Sequence, residues 1–318
     1  MQLLTTTLGQ MFVLFALIFI GFFLAKIKIM ENGSATILSR LENNLLLPAL
    51  VMSTFVENFT VKTIESAWKI LLVSTGIGIV MILLAIFVSR CCSKDKFIQN
   101  IFTYGLSFSN FGFMGNAVVK AVFPNIFMEY LIFTLPLWTI IYLWAVPTLL
   151  IPAEGGKQTL KARMKSFLNP MFGGMLVGMV IGLAGIPMPA PVTNLLKVTG
   201  DCMSPIAMIL TGITVANMDF KKIMSMVNIY VISIVRLVVF PLLGIGAFYL
   251  LKFTSITVSE TIVVCTIASL AMPLGLSPII IPSAYGKDTS VAAGATLASH
   301  ALSCLTIPVM FYLLQCIL

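Results

Sequence analysis

Ten apolar stretches divide the chain, at roughly 7–26, 35–56, 67–90, 98–120, 127–151, 168–187, 194–217, 225–251, 259–283 and 290–317. Each approaches or exceeds the roughly 20 residues that a helix needs to cross a bilayer. The pattern predicts an all-α integral membrane protein of ten transmembrane helices. Polar gaps between the stretches are short. The one sizeable loop, 152–167, is basic and contains Gly155-Gly156. It separates a first five-helix repeat, 1–151, from a second, 168–318.

An odd number of spans per half gives the halves opposite topology, the inverted-repeat plan of many secondary transporters. Pro48 in the second span matches Pro205 in the seventh, and Pro147 in the fifth matches Pro308 in the tenth. The fourth and ninth stretches are both interrupted, at Asn110-Phe-Gly-Phe-Met-Gly-Asn116 and at Pro273 to Pro278. Proline removes a backbone donor and clashes with the preceding turn. In lipid the freed groups need partners, so a broken helix belongs beside a protein-walled cavity. Breaks near the midplane are the best sequence pointer to a transporter's binding site.

Composition agrees: mean hydropathy is +1.07 and only 9% of the 318 residues are charged, against about 25% in a soluble domain. The net charge of +8 is mostly a topology signal rather than a nucleic-acid footprint. One side of the membrane carries Lys26, Lys28, Arg90, Lys94, Lys96, Lys157, Lys161, Arg163, Lys165, Lys221, Lys222 and Lys287; the other carries only Lys62, Lys120, Lys197 and Lys252. The positive-inside rule puts both termini outside and the 152–167 loop in the cytoplasm of a cell's plasma (inner) membrane. The first stretch has no preceding positive charge and no convincing small-residue cleavage site, so it reads as a retained helix. The six cysteines lack metal-ligand spacing and read as free thiols.

Several segments resemble the auxin efflux carrier family, which includes the plant PIN-FORMED carriers and bacterial organic-acid carriers. Ala271 to Tyr285, opening Ala-Met-Pro-Leu-Gly-Leu-Ser-Pro, resembles the family's ninth-helix pattern A-L-P-x-G-x-x-P. Asn110 to Gly115 resembles the fourth-helix pattern N-T-x-x-x-G-x-P, with Ala117 where that proline usually stands. Asn169-Pro170 resembles the opening of the sixth helix, and Arg236 to Pro241 the Arg/Lys-x-x-x-x-Pro of the eighth. Asp201 falls where plant members carry an Asp. The resemblance implies crossing fourth and ninth helices, a scaffold of helices 1, 2, 6 and 7, and a mobile unit of helices 3–5 and 8–10. With Ala117 replacing the proline, the fourth-helix break is expected to rest on Gly112, Gly115 and Asn116.

Intramembrane ionisable groups are functional candidates because burying them is expensive. Arg236, near the middle of its span, is either a counter-charge for an anionic substrate or a cap on carbonyls at a helix break. Asn110 either contacts substrate or satisfies the broken backbone; an amide binds a carboxylate without adding a buried charge. With Gly112, Gly115, Asn169, Pro273, Gly275 and Pro278, these two make up the candidate substrate site. Asp201 is a proton carrier or a helix-pairing group, and His300 a proton relay or a packed residue. Arg40 and Glu42 are expected to snorkel to the cytoplasmic interface. Glu65 and Lys69 form a surface i,i+4 pair, although plant members carry an acid and a Lys at this spacing. Gly174, Gly178 and Gly182 form a stripe for close helix packing, within the protomer or across a homodimer.

The expected function is secondary transport of a small organic anion, mono- or dicarboxylate, by an elevator-type mechanism with proton coupling as a candidate. A passive facilitator is the alternative. An intramembrane enzyme lacks support: there is no Gly-x-Ser-x-Gly, no His-Glu-x-x-His and no paired aspartates on facing spans. No cofactor, metal or nucleic-acid partner is expected, and no nucleotide-binding loop is present.

Overall fold

The computed structural model describes residues 2–31, 33–151, 170–251, 253 and 258–317. The 152–167 loop and Asn169 lie outside these. All regular structure among the described residues is helical. We number the helices α1 (Gln2–Lys26), α2 (34–58), α3 (Val61–Cys92), α4 (Lys96–Ser107), α5 (111–122), α6 (124–150), α7 (Pro170–Ala184), α8 (190–217), α9 (227–251), α10 (Glu260–Ala271), α11 (Ser277–Ala284) and α12 (Ser290–Ile317). Five of these, α3, α6, α8, α9 and α12, contain segments long and apolar enough to cross a membrane. The apolar segments Phe12–Lys26, Pro170–Ala184 and Glu260–Ala271 are shorter.

Side-chain caps set several boundaries. Thr60, Asp95 and Ser259 each accept the backbone N–H three residues on, at Thr63, Ile98 and Ile262. Each satisfies one of the donors that a helix start leaves open.

The helices pack in two groups. In one, α1 lies along the second half of α8, and α7 lies along the second half of α2. Lipid supplies no hydrophobic drive between helices, so small residues that let backbones approach decide which helices pair. A Cβ on Gly21 would stand 2.1 Å from the Ile209 carbonyl oxygen, and one on Gly212 2.0 Å from that of Ile18. The stripe on α7 works likewise: Cβ atoms on Gly174, Gly178 and Gly182 would meet the carbonyls of Pro48, Met52 and Phe59 at 2.6–2.8 Å. Of its two expected uses, the stripe serves packing inside the protomer. In the second group α3 packs on α4 and α6, and α9 packs on α10 and α12.

Four helices contain π-helical turns, at Glu42–Leu46, Phe111–Gly115, Ile141–Leu150 and Val235–Val239. One of them corrects the sequence reading of the fourth segment. The chain leaves the helix at Phe108 to Asn110, upstream of the glycines, and residues 111–122 run as one helix. Gly112 and Gly115 sit inside the π turn, where they make room for neighbours. A Cβ on Gly112 would lie 2.3 Å from the Trp138 ring, and one on Gly115 2.2 Å from the Tyr130 hydroxyl.

Candidate functional site

The two interruptions meet. After α4 ends at Ser107 the chain is extended, and after α10 ends at Ala271 it is extended again. The extended pieces pair antiparallel at Ser109 and Leu274, and Asn110 N–H donates to the Pro273 carbonyl at 2.7 Å. Gly275 allows this approach; a Cβ there would lie 3.1 Å from the Phe108 carbonyl oxygen. Pro278 stands in the first turn of α11, where a missing N–H costs nothing.

Ending two helices inside a membrane strands their last carbonyls. Arg236, 1% exposed in the π turn of α9, answers them. Its Nη1 donates to Leu106 O at 2.8 Å, its Nη2 to Ser269 O at 2.9 Å and its Nε to Met272 O at 3.3 Å. One guanidinium thus caps α4 and α10 together, placing a positive charge where two helix C-termini are negative. Ser109 Oγ adds a bond to Ser269 O at 2.7 Å.

Asn110 is buried. Its Oδ1 accepts from Met114 N–H at 3.4 Å, and its Nδ2 lies 3.1 Å from His300 Nε2. His300 Nδ1 lies 2.8 Å from Thr296 O. A carbonyl only accepts, so Nδ1 carries the proton, and Nε2 accepts from the Asn110 amide. The neutral imidazole therefore holds the Asn110 side chain from α12. Sequence reasoning missed this pairing, because the residues are 190 positions apart.

A small cavity of about 20 Å³ lies in the junction, lined by Ser109, Asn110, Gly112, Trp138, Gly275 and Ser277. It is water-sized. A larger cavity of about 390 Å³ shares Gly112 with it and is lined by Asn116, Lys120, Glu57, Lys197 and Asp201. Asp201 thus lines this hollow, in an exposed position at the end of the first half of α8. Asn116 Oδ1 is buried without a hydrogen-bond partner. In the sequence these lysines stand only as topology markers; their spacing from the breaks does not reveal that they converge. Lys69 lines a third cavity, of about 550 Å³, with Lys62 and Glu129, while Glu65 is exposed.

One expectation fails. Glu42 has no accessible surface and does not snorkel, because α7, α8 and α11 pack over its turn. Arg40 does stay exposed, and donates from Nε to Ala284 O at 3.3 Å.

A polar junction of broken helices beside a hollow, inside an otherwise apolar helical body, suits a solute path. A sequence model of the membrane transport protein family matches residues 6–311. The chain belongs to this family, that of the auxin efflux carriers. It is a multi-pass membrane transporter and not an enzyme. It is 22% identical over 296 residues to an uncharacterized transporter of Methanothermobacter thermautotrophicus, an alignment covering 92% of this chain and 93% of that one.

Proposed function

We propose that this chain is a secondary active transporter of small organic anions, mono- or dicarboxylates, working by elevator-type alternating access. The observation that carries the reading is the junction of the two helix breaks, capped by Arg236 and opening toward a hollow where Lys120 and Lys197 face Glu57 and Asp201. A carboxylate sits at the junction mouth near Gly112, with its body in the 390 Å³ hollow. That volume falls in the range of roughly 300–1,000 Å³ usual for small-molecule sites. An amide nitrogen has two hydrogens; His300 takes one of Asn110's, and the other serves the anion. The half-helices α5 and α11 begin at the junction, so their exposed amides and positive dipole ends favour negative charge. Gly112, Gly115, Pro273, Gly275 and Pro278 shape this backbone, and the resemblance adds Asn169 to the candidate residues. Arg236 sets the local positive potential through the capped ends.

A ten-helix, 5+5 inverted repeat with crossing fourth and ninth segments is supported by exchanged packing. The first span pairs with the seventh, and the sixth with the second. The antiparallel meeting of the two breaks is what a two-fold axis in the membrane plane requires. In the elevator cycle the group of α3–α6 and α9–α12 moves against α1, α2, α7 and α8. The basic loops put both termini outside the plasma membrane, which makes the 390 Å³ hollow outward-facing. Proton coupling and a homodimer are parts of the same reading.

Reconstitution tests it. Purified protein in liposomes is expected to accumulate labelled malate when a pH gradient is imposed. Equilibration without accumulation indicates a passive facilitator, and no movement of any small carboxylate contradicts the proposal.

A further inference from the structure

Glu42 is the most conspicuous ionisable group outside the junction. It is fully buried, and neither carboxyl oxygen has a hydrogen-bond partner. It opens the π-helical turn Glu42–Leu46, which contacts α7, α8 and α11. The neighbouring Asn43 donates from Nδ2 to Ile280 O of α11 at 3.3 Å, while its Oδ1 is also without a partner. Arg40, one turn earlier, donates to Ala284 O at the end of α11. The turn that holds this carboxyl therefore lies where one helix group meets the other, at the surface across which an elevator slides. π turns inside helices are frequent at functional positions.

We propose that Glu42 carries the coupling proton of the transport cycle. The proposal rests on the elevator reading above and deepens it. A carboxylate buried with no donor is among the costliest groups a protein can hold, and one proton removes its charge. The groove between α2 and α11 closes over the carboxyl only as the neutral acid. Sliding α11 along α2 breaks the Asn43 and Arg40 contacts and uncovers Glu42 to water. There the O–H bond breaks and the proton leaves to solvent. Reclosing requires a proton from water on the side then exposed. Protonation and conformation are thereby linked, so a pH difference across the membrane biases the cycle.

The charged neighbours do not supply an alternative partner. Arg40, on the same helix, is exposed and turned to Ala284. Glu57 lies at the far end of α2, in the 390 Å³ hollow. From α8, Lys197 and Asp201 line that same hollow. Residues Pro170–Ala184 of α7 and Ser277–Ala284 of α11 contain no titratable side chain, and Tyr285 follows α11.

Two measurements decide the matter. In infrared difference spectra of the purified protein at neutral pH, subtracting Glu42→Gln from the parent is expected to isolate a protonated-carboxyl carbonyl band. In proteoliposomes, Glu42→Gln is expected to keep malate counterflow while losing the several-fold stimulation of net malate uptake by a pH gradient. Glu42→Asp is expected to retain the stimulation. The proposal is overturned by a parent without the acid band, or by a Glu42→Gln variant that still responds to the gradient. Where Glu42→Gln fails to fold, the parent's pH-dependent acid band and the Glu42→Asp response decide. A parent that moves no malate contradicts the transport reading instead, and the infrared arm then judges Glu42 on its own.

Discussion

Arg236 caps the carbonyls at the helix breaks, one of the two roles its sequence position allows, and the cap shapes the site. Its three nitrogens hold three carbonyls from both broken segments, so removing the guanidinium frees two helix ends at once. Each unsatisfied buried carbonyl costs about 1–3 kcal/mol. Arg236→Gln, with one amide in place of the fork, is expected to lower the melting temperature of the purified protein and to abolish transport. Arg236→Lys keeps the charge but not the planar fork and is expected to fall between. A Gln variant as stable and active as the parent contradicts the capping account. At Gly112 the limit is space: the added methyl of Gly112→Ala would meet the Trp138 ring at 2.3 Å. The ring lines the junction cavity and has to shift, so malate affinity is expected to fall while the protein still elutes as a single species.

At the scale of elements, the apolar runs fall on helices, five of them long enough to span a membrane among the described residues. The tenth stretch was expected at 290–317 and runs Ser290–Ile317. The ninth was legible too, since Pro273 and Pro278 announce a break by chemistry that needs no partner. The fourth is legible as interrupted but not in position, because its break at Phe108 to Asn110 lacks proline and glycine. It is imposed by pairing with the ninth segment and by the Arg236 cap, contacts made across more than 100 positions. Nor do π turns have a residue signature, and Glu42 looked interfacial because its sequence neighbours, Arg40, Asn43 and Asn44, are polar. Only tertiary packing tells that α7, α8 and α11 cover it. Two element-level outcomes follow from the geometry. Pro273→Ala restores a donor where α10 leaves the helix, and is expected to insert normally while losing transport; wild-type uptake would make the break structural only. Gly178→Ala places a methyl 2.8 Å from Met52 O and is expected to destabilise the α2–α7 pair, whereas Gly173→Ala meets nothing within 4 Å. Comparable melting temperatures for the two variants would contradict the packing account.

At the scale of the whole molecule, α1, α2, α7 and α8 pack with one another and meet the junction-bearing helices along α2 and α11, and the proposed orientation rests on the basic loops. A single cysteine placed in the 152–167 loop of a cysteine-free variant is expected to resist membrane-impermeant thiol reagents in intact cells and to react after lysis. Full labelling in intact cells would invert the topology, and the hollow would then face the cytoplasm. Whichever way the protein points, the central claim is that a small carboxylate binds where the two breaks meet. The most direct measurement is equilibrium binding of labelled malate to purified parent and Asn110→Ala protein by scintillation proximity. The account predicts at least about tenfold weaker binding in the variant, the equivalent of about 1.4 kcal/mol, with unchanged elution and abundance. Equal affinity in the two proteins would contradict it and move the site away from the junction.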